Sequence, residues 1–177
     1  MNSSLASEGQ SEVGLVDRML AASRLDADLY REVSLNRATR WQALAVVLLV
    51  GLANGLGLIQ RFGVASILVG LIQGCISWIL WSAVVVVVAF VVGGRRRAGS
   101  VMRATAFANS PGMLLVFGAV PLIGPFVRNL IAVWMVAATV PGVRALYGLQ
   151  RWRAVVVAVG SFLAYWGLGL ASDYFVG

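Results

Sequence analysis

A chain of 177 residues that is 60% hydrophobic and 12% charged cannot solvate the surface of an ordinary soluble domain, which carries about 25% charge. Its net charge of +7 comes from 14 arginines and no lysine, and these residues flank long apolar runs instead of making one basic face. That distribution argues against nucleic-acid binding and for a membrane protein whose basic loops meet anionic lipid head groups.

Residues 1–12 are small, polar and acidic and read as a disordered tail. They lack the basic region followed by an apolar stretch that marks a cleavable signal. Over 13–33 the residues Val13, Val16, Met19, Leu20, Leu25 and Leu29 share one helical face, with Asp17, Arg18, Arg24, Asp28 and Arg31 on the other. The segment 13–40 is therefore expected as a cytoplasmic, juxtamembrane amphipathic helix, either on the membrane surface or packed under the bundle.

The first span is expected over 41–60, close to the ~20 residues that a bilayer requires, with Trp41 at its interface and Arg61 just past its far end. The run 64–94 has 31 residues. As a helix it would measure about 46 Å, too long for one upright crossing and too short for two. Parity decides for one long tilted helix, because two crossings would leave Arg95, Arg96 and Arg97 on the wrong side. Residues 99–110 are too polar and short to cross. A third span is expected over 111–125, opened by Pro111, and a fourth over 126–146, loosened after Val140 by Pro141 and Gly142. Both are broken by proline and glycine, so this pair either spans fully or forms a re-entrant hairpin. Arg151, Trp152 and Arg153 anchor a fifth span over 154–172, with Asp173 and Tyr174 at its outer end. The expectation is thus an all-α, polytopic bundle over 41–177 with five spans. Its N-terminus is inside and its C-terminus outside, which puts 12 arginines in and 2 out.

Histidine and lysine are both absent, which removes His-based hydrolysis and metal ligation, Ser-Lys dyads and Schiff-base chemistry. Six of the seven acids precede residue 33 and the seventh is Asp173, so no carboxylate lies mid-membrane for proteolysis or proton coupling. Neither an enzyme nor a cofactor is expected. Cys75 is alone and reads as a small buried hydrophobe. The intramembrane polar residues Asn54, Gln60, Ser66, Gln73, Ser77, Ser82, Thr139 and Ser161 are expected to hydrogen-bond between helices, their rival role being to line a polar path. Gly51 and Gly55 in the first span, and Gly70 and Gly74 in the second, form small-residue ridges for close helix packing, within the bundle or in a homo-oligomer seam. Arg128 is expected to snorkel to the outer interface or to bond local carbonyls, with a buried functional charge as the alternative.

The second half of the chain resembles the Yip domain family. The residues that carry the likeness are Gly99-Ser100-Val101-Met102-Arg103, then Phe107-Ala108-Asn109-Ser110-Pro111, the turn Pro121-Leu122-Ile123-Gly124, Trp134, the exit Gly142-Val143-Arg144, and the link Tyr147 to Arg153. The resemblance implies five spans with a cytoplasmic N-terminus and offers no catalytic residues.

The leading functional expectation is a non-enzymatic scaffold, membrane organiser or partner-binding subunit of the cytoplasmic (inner) membrane. Arg95, Arg96, Arg97, Arg103, Arg144, Arg151 and Arg153 would face anionic lipid or a protein partner. The rival is a component of a transporter or channel for a neutral or anionic solute, with Asn54, Gln73 and Ser77 on its path.

Overall fold

The computed structural model describes residues 14–94 and 97–176. The tail expected over 1–12, and Arg95 and Arg96, lie outside these residues, as do the side chains of Asp173 and Tyr174. The described chain is helical, with no strand. Its elements are α1 (Leu15–Ser23), α2 (Ala27–Leu35), α3 (Arg40–Gly57), the single turn α4 (Ile59–Phe62), α5 (Ala65–Val91), α6 (Ala98–Ala108), α7 (Gly124–Tyr147) and α8 (Arg151–Val176). Two 3-10 segments, Arg37–Thr39 and Ser110–Ala119, complete the order. Among the described residues three stretches are long and apolar enough to cross a membrane: Arg37–Gly57, Ala65–Val91 and Gly124–Tyr147.

The antiparallel pair α3–α5 is the most extensive contact in the bundle, and glycine makes it possible. A Cβ on Gly55 would fall 2.6 Å from the carbonyl oxygen of Ser66, and one on Gly70 would fall 2.6 Å from that of Gly51. A Cβ on Gly74 would reach the Cα of Gly51 at 3.0 Å. The four glycines therefore meet one another within one chain, backbone against backbone, gaining dispersion contacts that lipid would not supply. The Ser66 hydroxyl, 2.8 Å from the Gly55 carbonyl, adds a hydrogen bond across the same seam. The opposite face of α5, with Leu68, Ile72, Ile76 and Ile79, is exposed and apolar, as a lipid-facing surface must be.

The amphipathic segment is two helices, not one. Leu25 takes a left-handed conformation (φ 65°) and Asp26 caps α2 by accepting from the Asp28 amide. The resulting hairpin packs into the bundle, because Ala22, Leu29, Tyr30 and Val33 are buried in the same core as α3, α6 and α7. Arg18, though buried, pairs through Nη2 with Glu32 at 2.7 Å and through Nη1 with the Gln42 side chain, while its Nε has no hydrogen-bond partner among the described residues. The end of the bundle capped in this way, where α3 begins, is called here the Arg40 end, and the opposite one the Gly57 end.

Two expected boundaries are corrected. The stretch 99–110 is no surface link: α6 enters the bundle with Val101 and Ala104–Ala108 buried. The span expected over 111–125 is a 3-10 segment of ten residues, about 20 Å long at 2.0 Å per residue. The two run on from each other toward the Gly57 end. Met102 accepts from the Trp78 indole, Thr105 pairs with Ser82, Gly112 abuts Val50, and Leu115 reaches the backbone of Gly57. α7, for its part, is not loosened at Pro141 and Gly142 but continues to Tyr147, ending on the left-handed Gly148. Gly142 serves instead to let the Tyr30 ring approach, 3.2 Å from where a Cβ would stand.

Gly70→Ala should cost about 1–3 kcal/mol by overpacking, seen as a lower unfolding midpoint in detergent, while Gly63→Ala at an open position should act only through its positive φ. Burial also pushes the Tyr30 hydroxyl well above its ordinary value of 10.0. The unfolded chain ionises first, so this contribution is intact below about pH 10 and is lost as pH rises further. Tyr30→Phe should accordingly shrink the drop in thermal midpoint between about pH 9 and about pH 11.5.

Candidate functional site

Helices α3, α5, α7 and α8, with the break between α6 and the 3-10 segment, line a half-open cavity of about 610 Å³, with Gln73 and Asn129 exposed. That volume is within the range of small-molecule sites. α5 contributes one stripe of residues at helical spacing: Gln73, Ser77 and Trp81, with Gly74 and Trp78 beside them. α3 contributes Val50, Gly51 and Asn54, which stand there because the glycine contact brings that face onto α5. α7 supplies Arg128, Asn129, Ala132, Met135 and Val136, and α8 supplies Phe162 and Tyr165. Asn109 enters from the break itself.

Internal bonds fix several of these groups. The Tyr165 hydroxyl lies 3.1 Å from Ser77 Oγ, and the Tyr165 and Trp81 rings meet edge to face at 5.9 Å. Trp78 is held by its indole N–H, which donates to the Met102 carbonyl at 3.0 Å. Toward the Arg40 end the cavity is closed by buried core: the Ser82–Thr105 pair at 2.7 Å, then Val85, Ala89 and Val101.

Among the described residues Arg128 is the one cation in this wall. It neither snorkels outward nor bonds hairpin carbonyls, as its place beside Pro125 had suggested. Its Nη1 donates to Asn54 Oδ1 on α3 at 3.1 Å, and its Nη2 is buried without a hydrogen-bond partner. Two glycines make the slot for the guanidinium. A Cβ on Gly118 would stand 3.0 Å from Nε, and one on Gly57 3.3 Å from Nη2. Among the described side chains every carboxylate (Asp17, Asp26, Asp28 and Glu32) is in the α1–α2 hairpin, so none faces Arg128. This partly buried guanidinium has one neutral partner and no counter-ion among the described residues, and charged residues inside membrane bundles mark functional sites.

The basic surface expected from sequence is only partly a surface. Arg97, Arg144, Arg151 and Arg153 are exposed. Arg103 is turned inward instead, donating from Nε to the Val33 carbonyl at 2.8 Å and from Nη2 to that of Ser34, the last carbonyls of α2. A cation favours the carbonyl-rich C-terminus of a helix, so this arginine locks the α1–α2 hairpin to α6.

Of the intramembrane polar residues, Ser66 and Ser82 bond between helices, and Thr139 bonds back to Met135 on its own helix. Asn54, Gln73 and Ser77 share the cavity. The contributions of Trp78, Trp81, Asn109 and Tyr165 were not anticipated, although the spacing of Gln73, Ser77 and Trp81 was a signal in the sequence. The described residues hold no cluster of His, Cys, Asp or Glu fit for a metal ion. No protein-family model, no curated protein and no solved structure matches the chain. The Yip-like pattern therefore rests on its residues alone.

Asn54→Leu strips Arg128 of its partner and should cost about 1.5–3 kcal/mol, whereas Asn54→Asp supplies a counter-ion and should melt at or above the wild-type temperature. Thermal unfolding of the three proteins in one detergent checks the order.

Proposed function

We propose that the chain is a non-enzymatic, multi-pass protein of the cytoplasmic membrane that binds a solute inside its bundle, as a component of a transport path. The observation that carries this reading is the polar cavity around Arg128, Asn54, Gln73 and Ser77. In this reading the chain crosses five times, with α6 and the 3-10 segment together as the third crossing and α8 as the fifth. The N-terminus is cytoplasmic, as the arginine distribution favours. A crossing built from a broken helix suits this role. Backbone irregularity at membrane depth is tolerated where it is buried in protein or lines a cavity, and transporters place their sites at such breaks. Asn109, at the end of α6, borders both the break and the cavity. The closed core toward the Arg40 end favours a blind pocket that opens in alternation over a continuous pore.

A second reading keeps the scaffold role. It is favoured by the exposed Arg97, Arg144, Arg151 and Arg153 gathered with Trp41 and Trp152 near the Arg40 end. Reversing these four charges should weaken binding to anionic-lipid vesicles in that case and leave the cavity untouched.

Cysteine accessibility tests the first reading. In a Cys75→Ser background, Gln73→Cys and Ser77→Cys should react with a membrane-impermeant thiosulfonate about tenfold faster than Ile76→Cys and Ile79→Cys, which face outward into lipid. Equal rates at all four positions would remove the water-accessible cavity and the reading with it.

A further inference from the structure

We infer that the ligand of this cavity is a small amphipathic anion, its carboxylate or phosphate group held by Arg128 and its aromatic or branched body by the tryptophan wall. The inference rests on the proposed reading of the cavity as a solute site and names the class of solute.

The charge comes first. The cavity wall carries one positive group and no described carboxylate, and Arg61, exposed at the same Gly57 end, extends a second positive field to Arg128. A bundle interior amplifies such a field relative to water, so it selects for a negative ligand group and against a cation. Guanidinium, with planar forked donors and weak hydration, is the side chain best suited to take a carboxylate or phosphate out of water. Arg128 already has Nη1 on Asn54, whose amide NH2 leaves a neutral donor free to join in binding an oxyanion.

The shape comes second, because the polarity of the cavity is graded along its length. Arg128 and Asn54 are joined near the Gly57 end of α3. Met135 stands deeper, against Gly112 and Val50, and Tyr165 deeper still, against Ser77 and Trp81. One end of the cavity is thus cationic and amide-lined, and the other is aromatic. A fully hydrated inorganic anion would leave the aromatic end unused, and a purely apolar molecule would leave Arg128 uncompensated. The volume of about 610 Å³ also matters, since it is in the range of sites for compact soluble molecules. We therefore assign the site to a soluble amphipathic anion and not to a lipid head group.

The test uses 4-phenylbutanoate as the probe, with its neutral amide and inorganic phosphate as comparisons. Binding to the full chain in a non-ionic detergent is read by calorimetry and by quenching of tryptophan fluorescence. The carboxylate should bind at least about tenfold tighter than the amide and than phosphate, the preference of a desolvated charge pair over a neutral hydrogen bond. Arg128→Gln should abolish that preference and Arg61→Gln should leave most of it. Should Arg128→Gln fail to fold, Asn54→Asp supplies the internal carboxylate and should lose carboxylate binding while melting no lower than wild type. Equal affinity for carboxylate and amide would overturn the anion assignment and leave the cavity reading standing. Failure of every aromatic probe, charged or neutral, together with slow labelling of Ser77→Cys, would overturn both. Displacement of 4-phenylbutanoate in nanodiscs by phosphatidylglycerol but not by phosphatidylcholine would overturn the assignment to a soluble ligand in favour of a lipid head group.

Discussion

Everything in this bundle is arranged around the backbone contact between α3 and α5. Two helices that touch through Gly51, Gly55, Gly70 and Gly74 have no side chains between them along that line. The residues just beside the line are therefore brought together at short range, and those residues include Asn54 on one helix and Gln73 and Ser77 on the other. Close packing thus sets the position of the polar wall. It also frees the outer face of α5 for lipid, so a helix of 27 residues can be apolar outside and amide-lined inside.

The second organising feature is an imbalance of charge. The described acids are confined to the α1–α2 hairpin, where Glu32 answers Arg18. Arg103 is answered by the carbonyls that end α2. Among the described residues Arg128 has only the amide of Asn54, in a slot that two glycines hold open. A membrane bundle sustains such a residue at a cost in stability, and the surrounding close contacts offset it. The broken segment made by α6 and the 3-10 helix has the same character, since it packs against α3 and α7 and borders the cavity. A break in the helix and a charge with no described counter-ion coincide at one place, which is where ligand sites of membrane bundles form.

The sequence made the membrane class legible because low charge, long apolar runs and clustered arginines are properties of composition and spacing. The single long helix over α5 followed from arginine parity, and the glycine pairs were visible as spacings. What did not follow were the features set by tertiary packing. No glycine or proline announces the break at Leu25, which adopts a left-handed conformation that its side chain disfavours, so two helices read as one period. Asp26 was the available cue, as an N-cap residue. Pro141 reads as a helix end, but packing of Gly142 against Tyr30 holds α7 through it. The stretch 99–110 reads as too polar to enter the bundle because its partners are groups distant in sequence, Trp78 and Ser82. Of the cavity, Asn54, Gln73 and Ser77 were legible as intramembrane polar groups, while the role of Arg128 was not. Nothing local tells an arginine that snorkels from one that turns inward to a residue 74 positions away.

The central claim is that an uncompensated cation faces the cavity and attracts anions there. Diffraction from crystals soaked in bromide measures this directly, because the anomalous signal locates the anion without reference to any assumed ligand. The account predicts a bromide peak inside the cavity within about 4 Å of the Arg128 guanidinium, the range of a charge-assisted contact. Peaks confined to the exposed arginines of the Arg40 end, with the cavity empty of bromide, would contradict it.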